Sequence, residues 1–287
     1  MDIIYRFDPY APIQLQRPRN NKEALKMLEE GNARFANQVN HIQSIIAGDV
    51  TKPAMVIPMD AIQLGIPIVK GLEQMHSPFA LFLGCADARV PIERIMDCSA
   101  NDLFVVRVAG NVLGLECLGS VDYAVTALRS SLQSVIVLGH TGCGAVSAAV
   151  DMYLSPSGFA DIAFSHPVRT LIDRIMLAVR NAAGTLDEAY GTRVQKTKHY
   201  RDWLITTSCF LNSAVTAFDL QREVNAVTKG LQVSFSVYDM AWSRIDTFPI
   251  QGTEDVGDGD AFRAAPKTKE DLQEYAMEVV RRLKKKS

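Results

Sequence analysis

The sequence predicts an α/β fold, a mainly parallel central sheet flanked by helices, on two observations. Short continuous apolar runs, FALFLG (79–84), LFVVRV (103–108) and SVIVLG (134–139), have the composition of strands buried on both faces. Segments with apolar residues at helical spacing stand between and after them, and strands alternating with helices build a parallel sheet.

Residues 21–38, NKEALKMLEEGNARFANQ, carry Ala24, Leu25, Leu28 and Phe35 at helical spacing with Gly31 interrupting, which predicts one or two amphipathic helices. Residues 48–72 hold Pro53, Pro58, Pro67 and several glycines, which predicts a loop or extended connection. After the second strand, LGSVDYAVTALRSSL (118–132) places Val121, Ala124, Val125 and Leu128 on one helical stripe. GAVSAAVDMYL (144–154) continues the third strand as a helix. HPVRTLIDRIMLAVRNAAG (166–184) reads as a helix opening at Pro167 and stopping near Gly184, and another runs from Trp203 to Val227. LQVSFSVYD (231–239) alternates Leu231, Val233, Phe235 and Val237 with polar residues, the pattern of a half-exposed edge strand. The tail, KEDLQEYAMEVVRRLKKK (269–286), is a helix with acids first and bases last, matching its dipole. The division expected is an extended arm over 1–20, one α/β domain over 21–250, and a loop and helix over 251–287.

A chain of 287 residues with 48% hydrophobic content buries a substantial core. Net charge is -2 and the one basic run is Lys284, Lys285 and Lys286, so the footprint of a nucleic-acid binder is missing. The first twenty residues lack the pattern of a signal or transit peptide, and no stretch approaches the roughly 20 apolar residues that span a bilayer. A cytoplasmic protein with no membrane and no nucleic-acid partner is expected. Five cysteines in such a chain are buried thiols, metal ligands or catalytic groups before they are disulfides.

Two motifs stand at predicted strand ends. GCADARV puts Cys85, Asp87 and Arg89 after the first strand; if the backbone stays extended, they share one face. GHTGCGAV puts His140 and Cys143 after the third, with glycines that let the chain turn sharply. Ligands bind at the carboxyl ends of strands in open α/β sheets, so neighbouring first and third strands would bring the motifs together. Two thiolates and an imidazole suit tetrahedral zinc, and three protein ligands leave the open position of a catalytic site. Asp87 paired with Arg89 would supply a fixed hydrogen-bond acceptor beside it. Other readings fail on residues: a P-loop needs Gly-Lys-Ser/Thr, a Cys-dependent phosphatase loop needs Arg where Pro91 stands, and Cys-x-x-Cys does not occur.

These motifs resemble the β-class carbonic anhydrases. The family's Cys-Ser-Asp-Ser-Arg-Val stands here as Cys85-Ala86-Asp87-Ala88-Arg89-Val90, and its Gly-His-x-x-Cys-Gly stands as Gly139 to Gly144. The likeness extends through DLFVVRVAGNV (102–112), GSVDYAV (119–125), ALKMLEEGNARF (24–35) and VYD (237–239). It implies four parallel strands plus an edge strand, N-terminal helices forming an arm toward a partner subunit, and a homodimer or dimer of dimers. It implies one Zn2+ per subunit on Cys85, His140 and Cys143, with Asp87 and Arg89 as catalytic dyad. The implied reaction is hydration of CO2 to bicarbonate and a proton by zinc-bound hydroxide; zinc in carbonic anhydrases is known for bringing its water to a pKa of about 7. The implied substrate pocket is lined by Val90, Phe104, Tyr123 and Gly144.

The chain departs from the family at three places. Ala86 and Ala88 replace both serines of the first motif, and His76, with Gln74 nearby, stands where many members have a substrate-binding Gln. Phe82, Arg107 and Tyr238 stand where a regulated subgroup has the Trp, Arg and Tyr of a second bicarbonate site, so the constitutively open subtype is expected. Hydrolysis of carbonyl sulfide or carbon disulfide, and a non-catalytic zinc protein, are the alternatives. Cys98, Cys117 and Cys209 are expected to be buried thiols.

Overall fold

The computed structural model describes residues 3–7, 17–48, 53–59, 61, 64–66, 69–155, 165–250 and 260–283. Pro67, Lys284, Lys285 and Lys286 lie outside them. The first half runs β1 (Ile3–Phe7), α1 (Asn21–Ile46), β2 (Met55–Met59), β3 (Ala80–Gly84), α2 (Ile92–Ile95), β4 (Leu103–Arg107) and α3 (Leu115–Ala127). The second runs β5 (Ser134–His140), α4 (Gly144–Leu154), α5 (His166–Tyr190), α6 (Tyr200–Val227), β6 (Val233–Asp239), β7 (Arg244–Asp246), β8 (Arg263–Ala264) and α7 (Lys269–Arg281). Short 3-10 turns occupy Ala109–Asn111 and Thr192–Lys196.

The three apolar runs become β3, β4 and β5, which with β6 are parallel strands in the order β4-β3-β5-β6, with β7 and β8 antiparallel to β6. The strands from the three runs are mainly apolar because both faces of the sheet are covered. Leu81, Leu83, Val135, Val137, Val233 and Phe235 point into a large core with residues of α3 to α7. Their alternates Ala80, Phe82, Ile136 and Leu138 pack with Ala24 and Leu28 of α1 and Ile92 and Ile95 of α2. The segment predicted as loop or extended connection contains β2, which pairs in parallel with β1.

Three expectations are corrected. Gly31 does not interrupt the first helix: α1 is one helix of 26 residues, and a Cβ at Gly31 would lie 1.9 Å from the Met96 carbonyl oxygen. The glycine marks a close approach between backbones rather than a break. The helix opening at Pro167 runs past Gly184 to Tyr190 and ends at Gly191, whose φ of 75° and ψ of 157° lie in a region open essentially to glycine alone. β6 is not a half-exposed edge strand: all seven of its residues are buried. Ser234 and Ser236 face the second layer, which β7 and β8 extend; their small side chains fit there, and Ser236 Oγ donates to the Asp246 carbonyl at 3.4 Å.

The C-terminal helix belongs to the main core through Tyr275, Ala276, Val279 and Val280, and its Thr268 and Asp271 form a reciprocal capping box. The Tyr275 hydroxyl donates to the Thr247 carbonyl at 2.6 Å. Nearby, burial pushes Asp246 up to about 6, opposed by the N–H groups of Phe248 and Thr247. The folded state therefore holds this proton more tightly than the unfolded chain, and stability falls as pH rises from about 4 through 6. Asp246→Asn is expected to remove that fall, raising stability at pH 8 by about 1 to 2 kcal/mol after allowance for partial solvation. Thermal midpoints should differ by a few degrees at pH 8 and converge at pH 4.5; a difference of equal size at both would refute the assignment.

Candidate metal centre

The register places the site. Gly84, the last residue of β3, pairs with Leu138 of β5, so Cys85 follows on directly beside Gly139 and His140. The chain leaves β3 to form β4 on one side and returns to form β5 on the other, which makes this strand end a topological switch point. The first and third apolar runs are neighbours in the sheet, which is the condition for the two motifs to meet.

The two loops are shaped by different devices. The first does not stay extended: Val90 N–H donates to the Asp87 carbonyl at 3.0 Å, closing a turn. Asp87 Oδ1 accepts from the Arg89 backbone N–H at 2.9 Å, so the turn brings the Arg89 side chain back over the carboxylate. Arg89 Nε reaches Oδ1 at 3.0 Å and its terminal nitrogen reaches Oδ2 at 2.7 Å, a two-point pair. Ala86 and Ala88 therefore leave the Asp87–Arg89 pair intact, because among the described residues the hydrogen bonds to the Asp87 carboxylate come from Arg89. In the second loop Gly142 turns with φ 65°, Thr141 N–H donates to the Tyr238 carbonyl at 3.0 Å, and Cys143 stands just before α4.

Cys85, His140 and Cys143 are all buried, and their ligand atoms lie within 4.8 Å of one another, the two sulfurs 4.0 Å apart. His140 Nδ1 lies 3.0 Å from the Thr141 carbonyl and donates to it, which leaves Nε2 as a lone pair. That Nε2 is buried and has no hydrogen-bond partner. An imidazole nitrogen so orphaned between two sulfurs is what a metal ligand fixed by its outer hydrogen bond looks like, and this group could hold a metal ion. Asp87 Oδ2 lies 3.9 Å from the same nitrogen.

The electrostatics agree. Arg89 holds the Asp87 carboxyl well below the usual carboxylate range, first by its side-chain hydrogen bonds and then by its N–H. The Cys85 thiol is lowered, chiefly by the hydrogen bond with Cys143, while that contact and burial push Cys143 up. Cys209 is buried and Cys98 and Cys117 are half-buried; burial pushes Cys209 up to about 12.

The pocket residues go to different places. Val90 is fully buried under the turn and Gly144 opens α4 with free space around it. His76, Phe104 and Tyr123 form a chain of rings, with centroids 5.9 and 6.2 Å apart. Phe104 pairs with Leu81, four residues before Cys85, so this chain sits well up the sheet from the sulfurs. Sequence reasoning missed the supporting role of Arg107, whose guanidinium bonds the carbonyls of Cys85, at 2.9 Å, and Asp87. It also missed Asn212, a buried amide on α6; a polar residue within an apolar helical stripe was the available signal.

A family model for carbonic anhydrase matches residues 80–237, more than half of the chain and both motifs. The chain belongs to the β-carbonic anhydrase family. A carbonic anhydrase from Mycolicibacterium smegmatis is 36% identical over 185 residues, 62% of this chain and 76% of that one. Carbonic anhydrase 2 of Mycobacterium tuberculosis is 35% identical over 185 residues, 62% of this chain and 75% of that one. Among solved structures, a β-carbonic anhydrase from Coccomyxa overlays with a TM-score of 0.46 at 21% identity, covering 82% of this chain and 91% of that one. In this β-carbonic anhydrase the family match runs from β3 to β6, the strands that carry the buried Cys-His-Cys group.

Proposed function

We propose that the protein catalyses the reversible hydration of carbon dioxide to bicarbonate and a proton. One observation carries this reading: three buried ligand atoms from two strand ends converge beside a carboxylate pinned by an arginine. Cys85, His140 and Cys143 would hold one Zn2+, whose soft and borderline donors they match. Bound there, zinc supplies the Lewis acidity that makes water a nucleophile near neutral pH.

The chain's own contribution is orientation. Asp87 and Arg89 are the catalytic dyad: Arg89 fixes both carboxylate oxygens, and Oδ2 stands as an acceptor 3.9 Å from His140 Nε2. Asp87 remains charged through the neutral and alkaline range, because Arg89 depresses its pKa. It would accept a hydrogen bond from the O–H of the nucleophile and so orient that oxygen's lone pair toward the substrate carbon. The product proton leaves to solvent or buffer. Pairing with Arg89 keeps Asp87 from serving as a fourth ligand, the open form of the site.

Self-association as a homodimer or dimer of dimers belongs to this reading. Its support is a set of exposed apolar side chains, Tyr5, Phe7, Val69, Leu72 and Met75 on segments outside the main core and Leu115 at the start of α3. His76, Phe104 and Tyr123 would line the substrate pocket of the assembled enzyme. A cytoplasmic location fits five free cysteines, and no helix among the described residues is long and apolar enough to cross a membrane. Stopped-flow hydration of CO2 on protein of measured zinc content tests the proposal, with carbonyl sulfide assayed in parallel. Rapid hydration proportional to zinc is expected. Full zinc occupancy without hydration from pH 7 to 9 would overturn it, and sulfide release would then identify the alternative substrate.

A further inference from the structure

A run of hydrogen bonds connects α6 to one ligand sulfur. Asn212, 2% exposed, donates from Nδ2 to the Gly110 carbonyl at 2.7 Å. The N–H of the same peptide, that of Asn111, donates to the Val108 carbonyl at 3.0 Å. Gly110 N–H then donates to Cys85 Sγ at 3.4 Å. The orientation of the Asn212 amide follows from its partner, since a carbonyl oxygen accepts only from the NH2 end.

Gly110 is where this support is needed. Its φ of 68° and ψ of 17° lie in the left-handed region, and a Cβ would meet Ile175 Cδ1 at 2.7 Å and Ala145 Cβ at 3.1 Å. Crowding and conformation both demand glycine. Glycine, however, has the widest choice of alternative backbone conformations, so the turn has little preference of its own for the one observed. The peptide between Gly110 and Asn111 is held at both ends, by Asn212 from α6 and by Val108 within the turn itself. The same helix packs against the other half of the site: a Cβ on Gly139 would lie 2.1 Å from Ser213 Oγ.

We propose that Asn212 is a positioning residue for the metal centre, locking the Gly110 turn so that its N–H points at the Cys85 sulfur. The inference rests on the metal-site reading above. An N–H···S hydrogen bond withdraws charge from the thiolate and fixes the direction of its lone pairs, so it sets how strongly Cys85 binds and how much charge it gives the metal. Asn212 touches neither metal nor substrate and acts entirely through Gly110.

The test uses Asn212→Ser and Asn212→Asp on the full chain; the aspartate keeps the shape and, when charged, has nothing to donate. Zinc affinity by chelator competition and the thiolate-to-cobalt charge-transfer band of Co(II)-loaded protein are measured. Affinity is expected to fall roughly 10- to 100-fold, and the band to move to longer wavelength as the sulfur becomes a stronger donor. Tyr275→Phe, which removes a buried hydrogen bond to the Thr247 carbonyl instead, should change neither. Wild-type protein without a thiolate-to-cobalt band would refute the metal site itself. A wild-type band together with wild-type affinity and band position in a folded Asn212 variant would overturn the role of Asn212 alone. Should neither variant fold, 113Cd-loaded wild type decides: a coupling between cadmium and the Gly110 amide proton supports the lock, and its absence overturns it.

Discussion

Cys85→Ala, His140→Ala and Cys143→Ala proteins are expected to lose zinc and, with it, CO2 hydration above the buffer background. Apparent zinc-binding free energies in protein sites of roughly 10–16 kcal/mol are spread over four ligand positions. Removing one should cost roughly 3 kcal/mol, about two orders of magnitude in affinity. The orphaned His140 Nε2 makes the imidazole variant especially informative, because that nitrogen has no competing hydrogen bond to explain its placement. Cys98→Ala serves as control: Cys98 is a half-buried thiol whose sulfur donates to the Met96 carbonyl, outside the group of three. Zinc per chain after dialysis, with affinity by chelator competition, reads the result. A folded Cys85→Ala protein that holds zinc as tightly as wild type would contradict the assignment.

Asp87→Ala should show the opposite division: zinc retained, turnover lost. A positioned group handling a proton in the transition state contributes roughly 10²- to 10⁴-fold, so kcat/KM should fall within that range. Arg89→Ala should fall in the same direction, since its two contacts and its backbone N–H hold the carboxylate. The double variant should be little worse than Asp87→Ala, because the two act as one unit. The pH dependence follows from the sign of the shift. Arg89 keeps the Asp87 pKa far below neutrality, so both oxygens stay charged from pH 6 to 9, and the ratio of wild-type to variant kcat/KM should be constant over that range. A ratio that disappears at alkaline pH, or an Asp87→Ala protein that loses its zinc, would refute the dyad's role.

Much of this was legible in the residues because the signals were local. β3, β4 and β5 are largely continuous apolar runs, and α4 spans Gly144–Leu154 as its stripe predicts. The two motifs sit at strand ends that the register makes neighbours, so Cys85, His140 and Cys143 could be grouped before any fold was known. What escaped depends on contacts between distant segments. Gly31 looks like a helix breaker until the Met96 carbonyl is seen against it. The serines of β6 look solvent-facing until the register sets them beside Ile136 and Leu138 on the face of the second core layer. The fold of Arg89 back onto Asp87 is a turn that an extended reading of GCADARV misses. Asn212 lies 102 positions from its partner Gly110, a separation that no periodicity reports.

Zinc K-edge X-ray absorption on the wild-type protein at pH 8 tests the central claim most directly. The account predicts two sulfur ligands at about 2.3 Å and two nitrogen or oxygen ligands at about 2.0–2.1 Å, with no change at the metal in Asp87→Ala. Four sulfurs, no sulfur, or a light-atom shell that changes on removing Asp87 would contradict it.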